Sequence, residues 1–338
     1  MENLIGKNMD ELREVSSNMG LKPYLAKQLS DWLYNKQIDN IADMSNISLK
    51  NREALSEKYK IEKIKPIETQ ESKDGTKKYL YKYDSSSYIE SVMIPDKDRV
   101  TLCVSTQVGC KMNCEFCATG KQGFGRNLTV AEILNQVITL PELDRLTNIV
   151  YMGMGEPFDN YDNLIKSIEI LTSDWGFALS PRRITVSTSG ILNGIKSFIK
   201  DTEAHLAISL HNPFHTERER IMPIEKANNI YNIVEELSKH DWSGQRRLSF
   251  EYILWKGLND SLAHQSELAR LIGGLNARVN LIRFHTIPGT EFHGSSIQDM
   301  ERFRDALSSR GIITTIRASR GEDILAACGL LSTKVKGE

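Results

Sequence analysis

Three of the chain's five cysteines, Cys110, Cys114 and Cys117, stand within eight residues of one another in "CKMNCEFCATG". The spacing C-x3-C-x2-C presents three thiolates from one short loop. A structural zinc site closes with four ligands, usually from two C-x2-C pairs or from nearby histidines. Here there is no second C-x2-C, and Cys103 and Cys328 are isolated. Three thiolates on a tight loop match three irons of a 4Fe–4S cube, leaving the fourth iron unligated by protein and open to a substrate. On spacing alone, a zinc knuckle completed by a remote histidine and three incidental cysteines both remain open.

Composition narrows the setting. Five cysteines in 338 residues is ordinary usage, unlike the cysteine-dense frameworks of small secreted domains. The first residues, "MENLIGKNMDELREV", carry neither a basic leader nor an apolar stretch long enough for a signal peptide. No apolar run approaches the roughly 18 residues a membrane helix needs. The expectation is a cytoplasmic protein without a membrane span, in which clustered thiols serve metal or redox chemistry. With 43 basic against 44 acidic residues there is no global attraction to nucleic acid, although local basic patches are allowed.

The elements that must position these thiols fall into three regions. Residues 1–63 read as a small helical domain. Leu25, Leu29, Trp32 and Leu33 share one helical face, and Ser48 stands at a predicted helix N-cap. Residues 64–100 change to strand character, with turns at Asp74-Gly75 and in "DSSS" at 84–87. In residues 101–338, apolar strands alternate with helical patterns. "TLCVST", "NIVYMGM", "RRITVSTSG", "AHLAISLH", "RLSFEYIL" and "RVNLIRFH" are the strands, and a final "MERFRDALSSRG" precedes "ITTIRASR". Such alternation predicts an α/β fold with a parallel sheet. Six or so units are too few for a closed eight-stranded barrel, so an open, partial (βα)6 barrel is expected. Active sites of such folds gather at the C-terminal ends of the strands. The three cysteines follow the first strand, and "GMGEP", "STSG", "SLH" and "RFH" end later ones.

The C-x3-C-x2-C motif after the first strand resembles that of radical S-adenosylmethionine (SAM) enzymes, and "GMGEP" resembles their glycine-glutamate motif. The likeness extends further. "TLCVSTQVGC", "CATG", "GFGRNLT", "MGMGEP", "SPRRITVSTSG", "AISLH", "MPI", "NLIRFH" and "AACG" occur in the order seen in bacterial adenine-C2 RNA methyltransferases, over nearly the whole chain. Those enzymes modify an adenosine of 23S rRNA and one beside the anticodon of certain tRNAs. The closely related chloramphenicol–florfenicol resistance methyltransferase, which modifies carbon 8 instead, shares most of these motifs.

The resemblance implies the following. Cys110, Cys114 and Cys117 hold one 4Fe–4S cluster. Two SAM molecules are used per turnover, one to methylate Cys328 by displacement and one to generate a radical at the open iron. A methylene radical on the sulfur of Cys328 adds to carbon 2 of adenine, a position between two ring nitrogens where polar methyl transfer finds no nucleophile. Glu90 in "IESVMIP" takes the departing proton. Cys103 attacks the sulfur of Cys328, forming a transient disulfide that frees the product. Gly155, Glu156, Ser187, Ser209, Leu210 and His211 line the SAM site, as does His285, where many relatives carry asparagine. The partners implied are 23S rRNA, tRNA and an electron donor such as flavodoxin, and a monomer is expected. Phosphate contacts are expected from Lys77, Lys78, Lys82, Arg182, Arg183, Arg218, Arg220, Arg317 and Arg320. The target base must leave its stack to reach a buried site. A rival of another class is a zinc-stabilised RNA-binding module.

Overall fold

The computed structural model describes residues 1–287 and 289–333. One ten-stranded sheet organises them, its strands following one another across the sheet in chain order. They are β1 (Glu68–Glu71), β2 (Lys77–Lys82), β3 (Tyr88–Asp96), β4 (Arg99–Cys103), β5 (Asn148–Tyr151), β6 (Ile184–Thr188), β7 (His205–Ser209), β8 (Leu248–Leu254), β9 (Ala277–Arg283) and β10 (Ile313–Arg317). From β1 to β4 neighbours are antiparallel, as short turns at Asp74-Gly75 and 84–87 require. From β4 to β10 every pairing is parallel. The six strands expected from the sequence are all present, and "ITTIR" supplies a seventh parallel strand.

Each parallel crossover carries a helix, from Val130–Ile138 between β4 and β5 to Ile297–Ser308 between β9 and β10. Local chemistry starts them. Thr129 and Glu132 form a reciprocal capping box, and Ser261 and Ser296 accept from the backbone N–H groups of His264 and Asp299. The two edge strands do not pair, so the sheet stays open, yet residues of eight of its strands line one central cavity. That curvature makes it a partial barrel.

The N-terminal region packs on the outside. Its helices Met9–Asn18, Leu25–Ser30 and Leu49–Lys58 are closed by a two-residue parallel pairing of Glu2–Asn3 with Tyr59–Lys60. Leu25, Leu29 and Leu33 are buried as their shared face demands, whereas Trp32 is half-buried and donates to Asn46 Oδ1 at 2.6 Å. The helix at Leu49 starts after Ser48, whose side chain makes no capping bond. Tyr34 tilts against Trp175 and Phe177, and the whole region shares one apolar core with the sheet. Among the described residues, no helix is long and apolar enough to cross a membrane.

Candidate active site

A hairpin presents the cysteine loop. Gln107–Gly109 pairs antiparallel with Phe124–Asn127, and the short helix Ala118–Gln122 fills the space between. Gly109 adopts φ +72°, and a Cβ there would lie 1.7 Å from the Gly123 carbonyl oxygen, so only glycine lets the hairpin close. Residues 329–333 lie across the same loop. Ala118 N–H donates to the Gly329 carbonyl at 2.8 Å, and Thr119 Oγ1 to the Leu331 carbonyl at 2.7 Å. These bonds bring Cys328, 211 positions after Cys117, back beside the cluster loop.

The inner cavity, about 180 Å³, lies at the C-terminal ends of the strands. All five cysteines line it, together with Gly155, Glu156, Ser187, Ser209 and His211. An apolar shell of Phe116, Met222, Ile253, Trp255 and Phe284 packs beside the loop. Burial pushes the Cys110 thiol up to about 12 and the thiols of Cys114 and Cys117 upward as well; Cys110 and Cys114 are raised further by neighbouring cluster cysteines and Cys117 by Cys328. Coordination would therefore have to displace their protons. Among the described residues, no three His, Cys, Asp or Glu side chains gather tightly enough to hold a single metal ion. Three thiolates that each bind a separate iron of a cube do not need to converge on one point, so this donor set fits a cluster.

The opposite wall fits SAM. Gly155, at φ +100°, is so close to Gln107 that a Cβ would stand 2.6 Å from its side chain. The Glu156 carboxylate is almost completely buried. Its Oε1 accepts from Phe158 N–H at 3.0 Å and Thr188 Oγ1 at 2.7 Å, and its Oε2 from Ser189 N–H at 2.7 Å. Burial raises its pKa, a cost that an ammonium in the cavity would relieve. Ser189 Oγ is buried without a partner among the described residues and lines the same space. His211, at φ +56°, accepts through Nδ1 from Ile253 N–H at 3.1 Å, which leaves its proton on Nε2. Burial, aided by Arg218, pushes its pKa down to about 3, so the ring is neutral.

Other expected residues lie elsewhere. The Leu210 side chain is buried in the main core and does not reach the cavity. His285 lines a second, outer cavity of about 530 Å³ and bonds Ser319 Oγ at 2.9 Å through Nε2. Glu90 lines neither cavity. It occupies the next position on the face of β3 that sends Val92 and Ile94 into the inner one. Lys78 Nζ lies 3.0 Å from Glu90 Oε1, and Ser332 N–H donates to Oε2 at 3.0 Å. Burial raises the Glu90 pKa against the pull of Lys78.

Two phosphate-contact expectations are corrected. Lys78 is buried against Glu90 rather than free at the surface. Arg218 is fully buried. Its guanidinium pairs with Glu225 and donates to the carbonyls of Leu210 (2.9 Å), Ser189 (2.7 Å) and Ser209 (2.7 Å). It thus ties Ser189, just past β6, to Ser209 at the end of β7, both of which line the inner cavity. Replacing Arg218 by Ala strands a buried carboxylate, and chemical unfolding should show a loss of about 3–5 kcal/mol. Changing both partners to apolar residues should recover much of that loss. A single-variant loss under about 1 kcal/mol would make the pair energetically idle. Lys77 pairs with Glu142 at 2.9 Å, Lys82 lies over the Tyr88 ring, and Arg183 and Arg220 are exposed away from both cavities.

Arg182, Arg317 and Arg320 do come together, with Arg99, Arg247, Arg278 and Arg283, around the outer cavity, which runs from the N-terminal ends of β4 to β8 to the C-terminal ends of β9 and β10. Among the described residues that line it, only Asp96 and Glu251 are acidic, and Glu322 pairs with Arg283 at 3.6 Å. Cys328, Arg317 and Glu251 line both cavities. Cys328 beside Arg317 raises the pKa of its guanidinium, and burial together with Cys328 pushes the Cys103 thiol up to about 12. In the sequence alone Arg317 reads as a surface residue, and Glu251 receives no role. The available signal was period-2 alternation in "LSFEYIL", which sets Glu251 on the same face as Ser249 and Ile253.

Comparison with known proteins accords with this geometry. Residues 104–266 match the family model of the radical SAM superfamily, and residues 2–61 match that of the ribosomal RNA large subunit methyltransferase N-terminal domain. A probable dual-specificity RNA methyltransferase RlmN of Parabacteroides distasonis is 55% identical over 98% of this chain and 96% of its own length. Its counterpart in Phocaeicola vulgatus is 52% identical over 98% and 95%. The crystal structure of a radical SAM methyltransferase from Sphaerobacter thermophilus superposes with a TM-score of 0.91 at 37% identity, covering 98% of this chain and 99% of that one.

Proposed function

The chain belongs to the RlmN family of radical SAM RNA methyltransferases, and from that premise we propose that it methylates carbon 2 of adenosine in 23S rRNA and in tRNA beside the anticodon. The observation that carries this reading is the meeting of Cys103 and Cys328 in one cavity with the three cluster cysteines. A 4Fe–4S cluster held by Cys110, Cys114 and Cys117 would supply the electron that cleaves SAM and so permits hydrogen abstraction. Gly155, Glu156, Ser187, Ser189, Ser209 and His211 would bind and orient SAM. The Cys328 thiol would accept the methyl group and present it to the base. Glu90 would take the proton from carbon 2, its burial raising its basicity toward neutral pH. That role requires the Ser332 bond to open, since the carboxylate is otherwise sealed from both cavities. Cys103, a neutral thiol at rest, would lose its proton as it attacks the Cys328 sulfur.

Two SAM molecules per turnover, an external electron donor such as flavodoxin, a cytoplasmic setting and a monomeric state complete the reading. Residues 1–63 would serve as an RNA-binding accessory, residues 64–100 as a β extension, and residues 101–338 as the catalytic unit. The direct test is anaerobic reconstitution followed by transfer of labelled methyl from SAM to unmodified 23S rRNA and tRNA. Labelling of both substrates is expected, and labelling of neither would end the proposal.

RNA would approach through the arginine-lined outer cavity. Arg247 and Arg278 are exposed there and have no carboxylate within ion-pairing distance among the described residues. Changing both to Gln should weaken RNA binding and flatten the dependence of log K on log salt by about 0.7–0.9 for each phosphate no longer neutralised. An unchanged slope would place the RNA elsewhere.

A further inference from the structure

Along β8 the inward-facing residues change character in three steps. Ser249 lines the outer cavity, Ile253 the inner one, and Glu251 between them lines both. Glu251 is 4% exposed, in a strand otherwise buried almost throughout. Its Oε1 is occupied, accepting from Asn280 Nδ2 at 2.8 Å and Ser249 Oγ at 3.2 Å. Its Oε2 is buried and has no hydrogen-bond partner among the described residues. Arg317 is near enough for the two charges to interact, yet no hydrogen bond joins them. A buried, unpaired carboxylate oxygen is costly to keep, and such groups in native structures call for an explanation. Here the oxygen belongs to one of the side chains that line both the arginine-lined cavity and the cysteine-lined chamber, as Cys328 does.

Given the adenine-C2 reading, on which this inference rests, the target base must bring its carbon 2 to Cys328. Its exocyclic 6-amino group then lies on the other side of ring nitrogen 1, still on the edge nearest the sulfur. We infer that Glu251 selects the base, its free Oε2 accepting a hydrogen bond from the 6-amino group of the flipped adenine. An extruded base is read by hydrogen bonds to its exposed edge. A carboxylate discriminates in two directions there. It attracts the amine of adenine and repels the carbonyl oxygen that guanine carries at the same position. Glu251 is thus a specificity residue, distinct from the thiols that carry the methyl group.

The test uses the reconstituted full-length enzyme and two RNAs, one with adenosine at the target and one with purine riboside, which lacks the 6-amino group. The wild-type enzyme should favour adenosine in kcat/KM by roughly 10- to 100-fold, the range of a hydrogen bond to a charged group. In Glu251→Ala that preference should fall roughly 10-fold or more below the wild-type value. The effect of the amine on ring reactivity is common to both enzymes and cancels in the comparison. Should Glu251→Ala fail to fold or bind cluster, Glu251→Gln serves, and its preference should fall at least several-fold because the charge is gone. A preference unchanged from wild type in the variant that folds would overturn the inference and leave Glu251 a structural partner of Asn280. Failure of the wild-type enzyme to methylate the adenosine RNA would instead overturn the functional reading.

Discussion

Purified from cells, the Cys103→Ala protein should carry RNA covalently joined to Cys328. Once a methylene group bridges the Cys328 sulfur and carbon 2 of adenine, release requires a second thiol to attack that sulfur. Cys103 is placed for this. It pairs in register with Val92 and Val150 at the end of β4, opens onto the same cavity as Cys328, and is close enough to Cys328 for that residue to help raise its pKa. Without it, radical addition still proceeds but the adduct is stranded. Nuclease treatment should trim the RNA to a nucleotide attached to the peptide containing Cys328, which mass spectrometry would detect. Cys328→Ala should give the opposite phenotype, an intact cluster with no methylated RNA and no adduct, because no carrier remains. Cys103→Ala enzyme that turns over freely would reduce Cys103 to a core thiol.

Loss of any one cluster cysteine should be as complete. Anaerobically prepared protein is expected to hold about four iron and four sulfide per chain. Changing Cys110, Cys114 or Cys117 to Ala leaves two thiolates for three irons, so cluster content and SAM cleavage should both fall to background. Chelation of iron from the wild-type protein should have the same effect on SAM cleavage. Zinc bound without iron or sulfide would favour a structural metal site, and a full cluster in any single variant would remove that cysteine from the ligand set.

What the sequence reveals depends on how local the signal is. The cysteine loop, the alternating strands and the motifs at the strand ends are all short-range patterns, and the fold places them together as a parallel sheet must. Ser187, Ser209, Glu156 and His211 reach the cluster cavity for that reason. Arg218 misleads because a paired arginine in "TERERIMPI" looks like surface charge. Its burial depends on Glu225 and on carbonyls from two other strands. Lys78 misleads similarly, since its partner Glu90 lies on the neighbouring strand. The seal over Glu90 depends on Ser332, 242 positions away, and no local pattern encodes it. Glu251 is the opposite case, because the alternation in its strand makes it legible: a lone charge among inward-facing residues is expensive.

The central claim is that this active site places a methyl group on carbon 2 of adenine by way of Cys328. The most direct measurement is mass spectrometry of nucleosides digested from 23S rRNA and tRNA after reaction with reconstituted enzyme, against standards that resolve 2-methyl- from 8-methyladenosine. The account predicts 2-methyladenosine in both RNAs, formed by the wild type and absent with Cys328→Ala. Finding 8-methyladenosine, or 2-methyladenosine that persists without Cys328, would contradict it.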